Sequence, residues 1–448
     1  MAKRVPTCSE KEGFILLEHL QSILEHDPQI DEVGFIHSSQ LMVLKEGEEP
    51  STFTSTGHKE DARLDLVSSK ANEVEGKEAF FWSKEHKLGI STEYLLPLYK
   101  AAKNRFMDAY SNYKNISSFS LKNESAASSC ELSGIENEVM KHSKALLLLS
   151  SDFGTAWNAR KLIISKREEF SIADELLVST LVLSFAPKSE SAWNYRRWII
   201  NKIAGKCPLE AILEKESDLV EKIAENSKMN YRAWNHRCWL IAYMTSEQAL
   251  RELNANRNWA ALHVADNSCF HYRQKLMLRM LDEVSHGNVE VTLFTQFEHL
   301  QQLWKDELDW NDVLIRRYIG REALWLHRRF LAVCWAKHFG TNNIMWKHLS
   351  NKDGGGNNVS IFIDNEVGLV RDCLTLSDSI FEDIESQAIH SAAYILWLNR
   401  EICSPSTIDL NQKLGIGDLR TFLNKMCPGK VRVWDCLLGE HTSRDGAC

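Results

Sequence analysis

Four side chains of the kinds that bind metals stand close together at His263, Asp266, Cys269 and His271. They match no zinc-ligand spacing, and Cys269 and His271 fall at the start of a helix where packing accounts for them, so no metal site is expected in this chain. Gly354-Gly355-Gly356 lacks the G-K-[ST] of a phosphate loop and reads as a linker. Glu210, Glu214, Asp218, Glu221 and Glu225 recur along one helical segment, a solvated face or else a contact for a basic partner. No nucleophile, histidine and acid stand at a spacing that supports a catalytic triad. The eleven cysteines include no C-x-x-C pair and read as reduced, mostly buried thiols. Cys448 is the last residue, whereas a C-a-a-X lipidation box needs its cysteine four from the end, so the tail is expected to be unmodified.

The side chains that recur are an aromatic and an arginine three residues apart. W-N-x-R occurs at Trp157 to Arg160, Trp193 to Arg196 and Trp234 to Arg237. Weaker copies stand at Phe270 to Arg273, Trp325 to Arg328 and Trp397 to Arg400. The arginines step by 36, 41, 36, 55 and 72 residues, the last step being two periods of 36. Self-similarity at such a period signals a solenoid of repeated supersecondary units. On a helix the aromatic and the arginine share one face. The indole then fills the gap between hairpins, and the arginine covers its edge and satisfies carbonyls or a carboxylate at the turn.

The elements that must position these residues are helical hairpins. Glu136 to Leu149, a break at Ser151 to Gly154, and Thr155 to Ser165 make the first pair. Ile172 to Ala186 with Ser191 to Ile203, Leu209 to Asn226 with Tyr231 to Met244, and Glu247 to Val264 with Ser268 to Leu281 follow. Val291 to Ile319 with Glu322 to His338, then Phe362 to Ser386 with Ala388 to Ile402, complete the series. Each aromatic opens a second helix, often behind a Ser, Thr or Asn that can cap it. The expected fold is all-α, an α-α superhelix of hairpins over 136–403. Residues 404–448 form a tail with one further helix. Residues 1–135 differ: Gly13 to Glu25 and Tyr94 to Tyr113 read as helices, Val33 to Ile36 and Leu41 to Leu44 as short extended segments. The Ser-rich stretch 116–134 reads as a mobile linker, and 351–360 as a flexible insertion.

Composition fits a globular chain at 44% hydrophobic and 25% charged, with fourteen tryptophans but only eight prolines. A net charge of −8 gives no basis for nucleic-acid binding. No apolar stretch approaches the ~20 residues needed to span a bilayer. The first residues lack the apolar core of a signal peptide, so a cytoplasmic protein is expected.

The block A-W-N-x-R-[RC]-W, behind Pro187-Lys188-Ser189-Glu190-Ser191 or Asn230-Tyr231-Arg232, resembles the repeat of the protein prenyltransferase α-subunit family. It is unlike a tetratricopeptide repeat, which runs at 34 residues and carries small residues at fixed helix positions. The segments around Val33 and Trp259 resemble a divergent branch of the same family. The resemblance covers about 136–403 and extends more weakly to the N-terminus.

The resemblance implies a crescent of hairpins wrapped around a β subunit that holds the catalytic zinc and most of the isoprenoid pocket. Such a complex transfers a farnesyl or geranylgeranyl group from its diphosphate to a cysteine near the C-terminus of an acceptor protein. The family's diphosphate-binding lysine corresponds to Lys188, five residues before Trp193. The tyrosine of that turn is Glu190 here, a carboxylate ill suited to a diphosphate. The next turn, Lys228-Met229-Asn230-Tyr231-Arg232, keeps the family's Asn and Tyr, while its His is Arg232. Asn230, Tyr231 and Arg232 are therefore expected to line the substrate side. Arg232 could add positive charge near a phosphate or bridge a subunit interface. Two readings follow: an α subunit active only with its β partner, and a helical-repeat scaffold that retains the fold alone.

Overall fold

The computed structural model describes residues 8–46, 80–120, 129–167, 169–285, 290–339, 355–374, 383–402, 414, 418–426 and 428–437. Two compact units divide the chain, Met1–His236 and Arg237–Cys448.

The first unit opens with α1 (Cys8–His26), β1 (Glu32–Ile36), α2 (Ser38–Glu46), β2 (Phe81–Lys84), β3 (Lys87–Ser91) and α3 (Leu95–Ser120). Hairpins follow: α4 (Ser129–Leu149) with α5 (Gly154–Lys166), α6 (Ile172–Phe185) with α7 (Glu190–Ile203), and α8 (Glu210–Asn226) with α9 (Tyr231–Leu240), within which the division between the units falls. First helices pack on first helices and second on second, α4 against α6 and α5 against α7. The second unit continues the plan with α10 (Ser246–Leu262) and α11 (Asn267–Ser285), then α12 (Glu290–Arg317) and α13 (Glu322–Cys334), which ends in a π turn over Trp335–Phe339. α14 (Gly355–Leu374) and α15 (Asp383–Ile402) form the last hairpin, followed by α16 (Leu419–Met426) and α17 (Val431–Leu437). The architecture is the expected all-α repeat type.

The N-terminal residues pack on the first hairpins. α1 lies against α3, α3 against α4, and β1 against α6. A Cβ on Gly13 would come within 2.7 Å of the Pro97 carbonyl oxygen, so only glycine permits the α1–α3 approach. Val33 N donates to Ser184 Oγ at 3.0 Å, tying the sheet to α6.

Three expectations change here. Leu41 to Leu44 is helix, not strand: Gln40 N and Leu41 N both bond the His37 carbonyl, which starts a turn that α2 continues. The strand beside β1 is β3, parallel to it, with β2 antiparallel on the far side. The Ser-rich stretch is helical at both ends, because α3 runs to Ser120 and α4 starts at Ser129; 121–128 lie outside the described residues. In α3 the buried ring stripe of Phe106, Tyr110 and Tyr113 outweighs the few tenths of a kcal/mol that each polar residue costs. Gly355 and Gly356 open α14 rather than extend a linker; the rest of that expected insertion before Gly355 lies outside the described residues.

Candidate functional site

Five of the six recurring arginines are buried, and each of the five grips a glutamate on the first helix of the following hairpin. Arg160 holds Glu175 (Nη2–Oε1 2.8 Å, Nε–Oε2 3.1 Å) and Arg196 holds Glu216 (Nη2–Oε1 2.6 Å, Nε–Oε2 2.5 Å). In the second unit Arg237 meets Glu252 at 2.9 Å, Arg273 meets Glu307 at 2.7 Å, and Arg328 meets Glu366 at 2.6 Å. A third group completes every junction. Tyr195, Tyr272 and Tyr394 donate their hydroxyls to Glu175, Glu252 and Glu366 at 2.5–2.6 Å. His236 and His327 present Nε2 to Glu216 and Glu307 at 2.9 and 3.1 Å. The remaining arginine nitrogen, Nη1, donates to a carbonyl twenty residues earlier, from Arg160 to Met140, Arg196 to Leu176, Arg273 to Leu253 and Arg328 to Leu308.

Electrostatics follow from this packing. Burial alone would raise the Glu216 and Glu307 carboxyls, but the arginine and histidine on each outweigh it and hold both at about 2. Burial depresses His236 and His327, with the glutamate only partly opposing it, so each ring sits neutral in its junction. Each of these arginines finds its carboxylate on the next first helix, not at the turn.

The indoles seal the same seams. Trp193 and Trp234 are 0% and 1% exposed, and Trp157 and Trp325 are buried. Trp157 and Trp193 donate Nε1–H to the carbonyls of Ser151 and Pro187, six residues earlier. Phe270 packs on His327 with ring centroids 5.2 Å apart. The sixth expected copy is displaced. Arg400 is exposed beside Glu401, and Trp397 is half-buried under Arg329. Tyr394, three residues before Trp397, occupies the repeat position instead, because it is the side chain on this helix that reaches Glu366.

Outside this frame, the turns form an edge. Ser189 caps α7 by accepting from Ala192 N and donates to Asp152 of the preceding turn at 2.8 Å. Asn230 is buried: its oxygen caps α9 through Ala233 N, and its amide donates to the Pro187 carbonyl at 2.8 Å. It stitches turn to turn, and its side chain does not present itself to a substrate. Tyr231 is 58% exposed, with Arg232 over its ring at 5.4 Å, beside an exposed Met229 whose φ is 54°. Arg232 does not point away as a free charge; it pairs with Glu190 at 2.9 Å, and Arg197 pairs with the same carboxylate at 3.0 Å. Lys188 is exposed and makes no ion pair among the described residues.

The four metal-type side chains do not converge. His263 stacks on Trp259 at 3.7 Å, and Asp266 caps α11 through Ser268 N and Cys269 N. Burial pushes the Cys269 thiol up to about 12, while His271 is exposed. Among the described residues no group of three or more His, Cys, Asp or Glu is placed to hold a metal. The acidic run on α8 is solvent-facing, with Glu216 alone on the buried side. A cleft of about 590 Å³ between α12 and α14 is lined by charged side chains such as Asp309, Asp312 and Arg316.

The family model of the protein prenyltransferase alpha subunit repeat matches residues 172–203 and 213–244, the two hairpins that carry Lys188 and Asn230. These two hairpins are similar to the prenyltransferase alpha subunit repeat. The chain is also similar to protein prenyltransferase alpha subunit repeat-containing protein 1 of Danio rerio, 30% identical over 227 residues, which is 42% of this chain and 53% of the relative. The Homo sapiens protein of that name is 29% identical over 236 residues, covering 44% and 58%. The 1-A form from Xenopus laevis is 29% identical over 234 residues, covering 43% and 54%. The chain thus spans about half the length of the curated relatives it matches. The matched residues carry two of the aromatic-arginine pairs, Trp193 with Arg196 and Trp234 with Arg237; no helix among the described residues is long and apolar enough to cross a membrane.

Proposed function

We propose that this chain is the α subunit of a heterodimeric protein prenyltransferase. With a β subunit, in the cytoplasm, it helps to transfer a geranylgeranyl or farnesyl group from its diphosphate to a C-terminal cysteine of an acceptor protein. The observation that carries the reading is Lys188. It is exposed on the turn edge of a matched repeat, with no ion pair among the described residues, while Ser189, Glu190 and Asn230 around it are all engaged. An ammonium there is a movable point charge suited to a departing diphosphate. The partner's zinc would lower the acceptor thiol's pKa. This chain contributes the rigid frame, the lysine, and the exposed Tyr231 and Met229 as part of the partner-facing edge.

A helical-repeat scaffold is the second reading. It is favoured by the Glu190–Arg232 pair, which puts a carboxylate where a diphosphate would approach and ties up the neighbouring guanidinium. Pull-down of the tagged full chain from its native cytosol, with mass spectrometry of what copurifies in near-equal amount, separates the two. The enzyme reading predicts a protein with the α/α-barrel sequence and zinc-ligand set of a prenyltransferase β subunit. Its clear absence at that ratio would leave the scaffold.

A further inference from the structure

The turn edge carries a charge arrangement that the buried frame does not need. Glu190 is exposed, and a different guanidinium holds each of its oxygens: Oε1 accepts from Arg197 Nη2 at 3.0 Å, Oε2 from Arg232 Nε at 2.9 Å. Arg197 stands two turns further along α7, and Arg232 belongs to the next hairpin. Arg197 is also positioned by Asn194 Oδ1 at 2.7 Å, and Arg232 by its contact with the Tyr231 ring. Lys188 lies two residues before Glu190. Two guanidiniums therefore hold one carboxylate, with Lys188 two residues before it in the same turn, in a chain whose net charge is −8. Glu190 is about half exposed, so its ion pairs contribute modestly to stability, and folding gives limited reason for this concentration of positive charge. Two guanidiniums sharing the two oxygens of one oxyanion is the geometry in which arginines receive a phosphate group.

We propose that Arg197, Arg232 and Lys188 form a binding site for a phosphate or diphosphate group, and that Glu190 is its built-in occupant. The carboxylate supplies the two oxygens that the arginines would otherwise take from the ligand. An incoming diphosphate must displace it, so Glu190 sets the affinity of the site. The inference rests on the reading of this edge as the diphosphate-facing side and adds the residue that limits binding there.

Isothermal titration calorimetry of the full chain with inorganic pyrophosphate at low ionic strength tests it. Glu190→Gln removes the competing charge together with two partly exposed ion pairs and one helix-dipole contact in the first turn of α7, a small loss that leaves the buried junctions intact and the chain folded. This variant is expected to bind pyrophosphate about five- to tenfold more tightly than the wild type. Adding Arg197→Ala and Arg232→Ala to it is expected to return the affinity to the wild-type value or below. Equal affinity of Glu190→Gln and wild type overturns the proposal, as does a gain that survives loss of both arginines. A gain in a chain that copurifies with no β subunit would sustain this site while removing the enzyme reading. Active transfer with no gain would sink the site alone.

Discussion

The histidine at position 236 does the work that a tyrosine does one repeat earlier, and the difference is a proton. His236 faces Glu216, Arg196 and Arg197; His327 faces Glu307, Arg273 and Arg328. Burial holds both imidazoles below their ordinary value, so in the folded chain they stay neutral where the unfolded chain binds protons. Stability contributed by neutral burial is complete above about 6.5 and falls as pH drops below it, because the unfolded state then takes up more protons. The glutamates act lower. Their folded value of about 2 lies below the ordinary 4.5, so their contribution is present above about 4.5 and is lost as pH falls towards 2. Replacing both histidines by tyrosine, the residue at the other three junctions, should leave the chain folded and reduce the fall in melting temperature between pH 6.5 and 5. Thermal melts of the double variant across that range check it; an unchanged slope would show that these rings do not set the acid limb.

The hairpin junction is the unit that holds the repeat, and its glutamate is the part the sequence hides. Arg196→Met would leave Glu216 buried without its guanidinium and with only His236 beside it, at a cost of about 3–5 kcal/mol. Adding Glu216→Met should recover much of that loss, since a buried pair replaced by apolar volume is often neutral. Denaturant midpoints of the single and double variants decide this; a double variant as unstable as the single would contradict it. Helix positions were legible because the aromatic-arginine pair recurs and its turns carry caps such as Ser189 and Asn230. The partner carboxylates were not, because a lone Glu175 or Glu216 in a helix looks like any solvated glutamate. The signal was present in spacing: four of the five glutamates precede their Tyr or His by twenty residues. Counting by arginine alone misplaced the last copy on Trp397 and Arg400, where Tyr394 carries the junction. The β2–β3 hairpin was hidden for another reason. Its two-residue turn has positive φ at Glu85 and His86, positions that usually advertise themselves as Asn-Gly. Here His86 is held instead by Asp27 at 2.9 Å and by Asp31 N on its carbonyl.

Among the described residues, the buried junctions are architecture, and the proposed function falls to what the turns expose. The candidate site was legible at Lys188, where residue type and place in the turn agree with an exposed ammonium. It was not legible at Asn230, whose amide is consumed by the Pro187 carbonyl, or at Arg232, whose charge is claimed by a residue 42 positions away. Those partners are set by the stacking of hairpins, which spacing along one helix does not reveal. Lys188 has no part in the frame, so it can be removed without touching the fold, and it carries the proposed chemistry. The most direct test is the rate of labelled prenyl transfer to a C-terminal cysteine peptide by the purified complex of this chain with the proposed β subunit, compared with Lys188→Ala. A lost charged contact of about 1.5–3 kcal/mol predicts transfer slowed roughly tenfold to a hundredfold with assembly intact. An equal rate in the two complexes would contradict the diphosphate role of this edge, and with it the central claim.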